Sequence, residues 1–136
     1  MRTLLLVFAL LATVLLTGMG SIGGPAEGTI PKTDENITAR LVDRAGVTTD
    51  LSRFSMDGNI TFSGRRGEGE VSIFMRELKE VTFGPVSGSD VSADLLLQSG
   101  KRVQLKVSKS VLFYGDTGAG AYHIGAGDVK RIDFLR

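Results

Sequence analysis

Cysteine is absent from the 136 residues, which excludes disulfides, thiolate zinc sites and cysteine catalysis. Histidine occurs once, as His123, so no site in a single chain is built from two. Beyond the N-terminal apolar run, no window sustains a 3.6-residue apolar period, and long amphipathic helices are not expected. Excess charge is lacking too. Lys and Arg number 16 against 15 Asp and Glu, a net of +1, and Arg2 is the only charged residue before Glu27. Without that N-terminal stretch the balance is 16 − 1 = 15 basic against 15 acidic. A formally neutral chain offers no bulk electrostatic case for nucleic acid or an anionic membrane.

What is present begins with an export signal. Arg2 supplies a positive start, and residues 4–16 run without a charge. A run of about 13 residues suits a signal-peptide core, whereas a spanning helix needs about 20. Gly18-Met19-Gly20 and Gly24-Pro25-Ala26 both offer small residues where a signal peptidase cleaves. Residues 1–26 are therefore expected to be the signal peptide and processing region. With that removed, no membrane span is expected, and the location is periplasmic or extracellular. Residues 27–36, rich in Gly, Pro and polar groups, read as a flexible leader.

The remainder repeats itself. Residues 62–83 align without gaps on 113–134, with seven of 22 positions identical: Phe62/Phe113, Gly64/Gly115, Gly67/Gly118, Gly69/Gly120, Ile73/Ile124, Lys79/Lys130 and Phe83/Phe134. Upstream, Gly46 and Leu51 match Gly100 and Leu105 at an offset of 54 rather than 51. Three extra residues therefore sit near residues 55–59 of the first unit. The reading is an internal duplication, with repeat unit 1 at 37–83, a linker at 84–90 and repeat unit 2 at 91–136.

Within each unit the apolar period is two. Val103, Leu105 and Val107 alternate with Arg102, Gln104 and Lys106, the pattern of half-buried strands. Asp57-Gly58 and Ser99-Gly100 are hairpin-turn dipeptides. Five short strands are expected per unit: 37–43, 47–54, 59–63, 70–75 and 79–83, then 91–98, 101–108, 110–114, 121–125 and 130–135. A single 3₁₀ turn is expected before the last strand of each, at 76–78 and 127–129. The fold class is all-β, a duplicated five-stranded unit forming a small barrel or sandwich. In outline each unit resembles a minimal SH3-like or Sm-like barrel. Units under 50 residues are too small to be independently secure, so a shared core is expected. Val71, Ile73, Val81 and Phe83 would meet Tyr122, Ile124, Ile132 and Phe134 there.

Three features carry chemistry. In Gly64-Arg65-Arg66-Gly67-Glu68-Gly69, amides and two guanidinium groups offer an anion site, making Arg65 and Arg66 the candidate ligand-binding residues. A strand rather than a helix follows, however, and the partner loop keeps the glycines while replacing both arginines, as a structural hairpin would. Asp116-Thr117-Gly118-Ala119 resembles the signature of retropepsin-like aspartic proteases. That resemblance implies a homodimer in which two Asp116 carboxylates share a proton and activate water. Arg65 stands at the equivalent position of the first unit, so the repeat supplies no second carboxylate. Phe54, Phe74 and Tyr114 either form an exposed aromatic patch, if the alternation holds, or cover the far side of a closed barrel; His123 is expected at the surface. Asn36-Ile37-Thr38 and Asn59-Ile60-Thr61 fit the glycosylation sequon.

The leading expectation is an exported, non-enzymatic β-module that binds a protein or a cell-envelope component, with no cofactor, metal or nucleic acid. The alternatives are the dimeric aspartic protease using Asp116 and a small-ligand-binding β-barrel. N-terminal sequencing of the exported protein is expected to begin at Ser21 or Glu27; a start at Met1 would mean an uncleaved anchor.

Overall fold

The computed structural model describes residues 28–135; the signal peptide expected over 1–26 lies outside the described residues. Ten strands follow one another: β1 (Ala39–Asp43), β2 (Thr48–Met56), β3 (Thr61–Arg66), β4 (Gly69–Phe74), β5 (Leu78–Ser87), β6 (Asp90–Leu97), β7 (Arg102–Ser108), β8 (Leu112–Asp116), β9 (Ala121–Gly125) and β10 (Val129–Phe134). A 3₁₀ turn precedes β5 at Met75–Glu77 and another precedes β10 at Ala126–Asp128. Each begins one residue before the position expected from the sequence. Period-two alternation is visible as burial: Leu105 and Val107 are buried while Arg102, Gln104 and Lys106 are exposed.

All ten strands join one antiparallel sheet in the order β4-β3-β7-β6-β5-β10-β1-β2-β8-β9. The order reads the same from either end once β1–β5 are exchanged for β6–β10. Neither set of five closes on itself. β3 pairs with β7 and β8 pairs with β2, so each set lends its third strand to the other. The sheet is also curled. Phe62 on β3 stacks on Phe113 on β8, with centroids 6.0 Å apart, although six strands lie between them in the sheet.

The crossed pairings depend on two glycines. A Cβ on Gly64 would lie 2.8 Å from the Leu105 Cβ, and one on Gly115 would lie 2.8 Å from the Leu51 Cβ. Without side chains, β3 and β8 settle directly against these leucines. Inside the curl, Phe54, Phe62, Phe83, Phe113 and Phe134 form a ring cluster with centroids 5.6–6.3 Å apart. Such aromatic pairs contribute roughly 0.5–1.5 kcal/mol each beyond the area they bury. The buried apolar residues of both halves belong to one cluster. Val81, Phe83, Ile132 and Phe134 are buried in it, while Val71, Ile73, Tyr122 and Ile124, on the two edge strands, pack against its margin.

Three local features differ from the sequence reading. Phe54 is fully buried rather than part of an exposed patch. Arg53 adopts φ 49, and the register against β8 shifts between Ser52 and Ser55. This bulge reverses the alternation, so Leu51 faces inward before it and Phe54 and Met56 after it. Secondly, residues 84–87, read as linker, continue β5. Pro85 is accommodated because two residues face one where Phe83↔Ala93 gives way to Val86↔Val91. Thirdly, the end of the leader is tied to the sheet. Glu35 pairs with Arg76 at 2.7 Å, and Asn36 Oδ1 accepts the Arg53 N–H at 2.8 Å.

Replacing Gly64 or Gly115 with Ala is expected to cost about 1–3 kcal/mol by forcing the β3–β7 or β8–β2 contact apart. Gly120→Ala, with nothing within 4 Å of the added atom, should stay within about 0.5 kcal/mol of the parent. Urea denaturation of the three variants tests this.

Candidate functional site

The two halves of the sheet differ most where β3 meets β7. Their ladder is a single pair, Arg65 opposite Lys106. On the other side of the molecule β2 runs through its bulge and stays paired with β8 at Ser55↔Tyr114 and Met56↔Phe113. β7, which aligns with β2, stops at Ser108 and leaves the rest of β3 unmatched. The inequality lies in β2, nine residues long against seven for β7. The longer β2 turns at Asp57-Gly58, whose φ angles of 51 and 86 fit a type I′ hairpin turn closed by Met56 and Asn59.

A cleft of about 310 Å³ occupies the gap. Arg65 and Lys106 line it together with Glu70 of β4, which pairs with Arg65 in the ladder, and Asp57 and Asn59 line it where β2 turns. Buried Met56 and Val107 contribute its apolar lining. Within it the Ser63 N–H donates to Met56 Sδ at 3.3 Å instead of to a strand carbonyl. Thioether sulfur is a weak acceptor, so this ladder position is only lightly satisfied. Arg65 reaches over β7 to pair with Asp90 on β6. Both side chains keep contact with water, so the pair contributes about 0–1 kcal/mol. Among the described residues Lys106 makes no ion pair. Arg66 is exposed and does not line the cleft. Strand alternation sends neighbouring residues to opposite faces, so the two arginines do not act as a pair.

Asp116 ends β8, opposite Ala121. Its Oδ1 accepts the Gly118 N–H at 2.8 Å, and the Thr117 hydroxyl accepts the Ala119 N–H at 3.2 Å while donating to the Gly120 carbonyl at 2.9 Å. The side chains of the Asp116-Thr117-Gly118-Ala119 string thus fold its own backbone into a hairpin tip, as Asp and Thr do in turns. An aspartic dyad places two carboxylates on one proton and would need Asp116 of a second copy.

The sheet ends in β4 on one side and β9 on the other. At the end of β4, Phe74 is 44% exposed with the Arg76 guanidinium 4.7 Å above its ring. On β9, His123 is exposed and its ring lies 6.1 Å from that of half-buried Tyr114. The next residue along, Tyr122, turns inward. Burial raises its phenol pKa, nearby Asp43 adds to the rise, and a hydrogen bond with Thr49 opposes it. Sequence reasoning singled out Arg65 but missed Met56, Ser63 and Lys106. Only the unequal strand lengths on the two sides of the repeat hinted at a gap there.

A family model described as "Uncharacterised protein" matches residues 33–136. No curated protein and no solved structure matches the chain.

Asp116→Asn keeps an oxygen to accept the Gly118 N–H and is expected to leave the melting temperature unchanged. Asp116→Ala should cost about 0.5–1.5 kcal/mol, read from thermal melts of the two variants side by side.

Proposed function

The chain belongs to the family whose model spans residues 33–136, and from its own residues we propose an exported, non-enzymatic β-module that binds a partner protein by strand addition at β9. The observation that carries this reading is the bare outer edge of β9. The strand Ala-Tyr-His-Ile-Gly has no Lys, Arg, Asp, Glu or Pro, the residues with which proteins usually blunt an open edge. β4, at the other end, carries Glu70 and is flanked by Arg66 and Glu68.

Alternate residues of an edge strand direct their N–H and C=O groups outward, and an extended segment of a partner pairs with such a row. Tyr122 and Ile124 pack against the core, which holds the strand in place before any partner arrives. Pre-ordering of this kind reduces the entropy lost on binding. The rings of Tyr114 and His123 add a contact for one side chain of the incoming segment. A small-ligand barrel, by comparison, would need the interior that five phenylalanines occupy. Export is supported by the apolar run at residues 4–16 behind Arg2. The internal duplication is supported by the strand order, which is unchanged when the two sets of five are exchanged.

A photo-crosslinking residue at position 123 of the exported protein, activated in its own host cells, is expected to give a discrete protein adduct. The same residue at position 131, paired with Val42 on one side and Thr82 on the other, should give none. Equal labelling at both positions, adducts without protein, or no adduct at position 123 would overturn the proposal.

A further inference from the structure

Hydrogen-bond parity fixes what β9 shows on its open side. The Thr117 N–H donates to the Gly120 carbonyl at 3.0 Å and closes the turn from β8. Counting from that bond, Tyr122 and Ile124 exchange backbone bonds with Gly115 and Phe113. Ala121, His123 and Gly125 therefore direct their N–H and C=O groups away from the sheet. These positions are evenly spaced about His123 and reach both ends of the strand. The side chains repeat the symmetry. Ala121 and Gly125 are small, while Tyr122 and Ile124 are large, half-buried and packed against the core. In size, Ala-Tyr-His-Ile-Gly reads alike in both directions.

A strand of that form is complementary to its own antiparallel copy. Across a two-fold axis at His123, Ala121 meets the partner's Gly125, His123 meets the partner's His123, and Gly125 meets the partner's Ala121. Outward groups face outward groups at every pair. Tyr122 comes beside the partner's Ile124 on the inner face, where both residue types are still half open to water. On the outer face Tyr114 pairs with His123, their rings 6.1 Å apart, and the axis extends this row through the partner's His123. Charge favours a copy over a foreign segment. In a self-pair any charge at the axis opposes itself, and like charges directly opposite destabilise a ladder. β9 carries no Lys, Arg, Asp or Glu, whereas β4, at the other end of the sheet, carries Glu70. The flanking charges do not meet their own kind alone. Asp116 stands opposite Ala121, and Lys109 and Asp128 lie at Gly125, so the axis sets an acid against a base and an acid. A five-residue strand buries less than the roughly 1,200 Å² of a stable interface, and the association is therefore reversible.

We propose that the partner added at this edge is a second copy of the chain, β9 pairing antiparallel with β9 about a two-fold axis at His123; the inference rests on the strand-addition reading above. Sedimentation velocity of the purified exported protein is expected to show a reversible monomer–dimer equilibrium in the micromolar range. His123→Glu and His123→Lys each place like charges against each other at the axis, and each should weaken dimerisation at least about tenfold. Mixed in equal amounts, the two variants should recover a dimer, because their charges now oppose one another. Recovery also shows that both variants are folded. A parent that stays monomeric at millimolar concentration, a dimer indifferent to both variants, or no recovery on mixing would overturn the inference. The strand-addition reading fails separately. An adduct from position 123 in cells with a mass other than a dimer's keeps that reading and overturns the second copy, whereas no adduct overturns both.

Discussion

Gly64 lies flush on Leu105 and Gly115 on Leu51, and these two contacts let a strand of each half run beside a strand of the other. Everything inside the curl depends on that exchange. It brings Phe62 and Phe113 to the same place and gathers Phe83 and Phe54 around them. A unit of fewer than 50 residues buries too little surface to be secure alone. Sharing the third strands means that neither half completes its core without the other. Loss of one glycine contact therefore disturbs two layers at once: the backbone pairing and the ring cluster below it.

The departures from symmetry are as informative as the symmetry. The lengthened β2 carries Arg53 at φ 49, a conformation that costs a non-glycine residue energy. In return Phe54 turns inward and stacks on Phe113 with centroids 5.6 Å apart. The extra residues also carry Met56 to the place where its sulfur meets β3. The bulged, longer β2 thus adds a fifth ring to the core and leaves β3 with an unmatched edge elsewhere.

Much of this was legible in the sequence. Ten strands, two hairpin dipeptides and two 3₁₀ turns follow from local alternation and turn chemistry, which act over a few residues. Phe54 was misread because a bulge reverses alternation, and a bulge at Ser52–Ser55 leaves no local signature. Residues 84–87 were misread because Pro85 resembles a break, and only the facing strand shows that it sits in a bulge. The aligned glycines are visible in the sequence, but spacing alone does not separate their two roles. Gly67 and Gly118 serve turns at φ 61 and 87, whereas Gly64 and Gly115 permit close approach of a leucine. The cleft was hidden for a further reason. Arg65 and Lys106 become neighbours through pairing between halves, which period-two patterns do not encode.

The place of β10 has a consequence for how the molecule is made. It is the last of the ten strands to leave the ribosome, yet it lies near the middle of the sheet, between β5 and β1. Until it arrives, β1 and β5 each present an open inner edge, and the buried side chains of Val129, Ile132 and Phe134 are missing from the core. The nascent chain therefore cannot reach its final form piece by piece, and pairing over such sequence distances is slow. A polypeptide that stays unfolded until its last strand is complete remains threadable through a translocation channel. Under the export we propose, the same topology that binds the halves together would delay folding until passage is over.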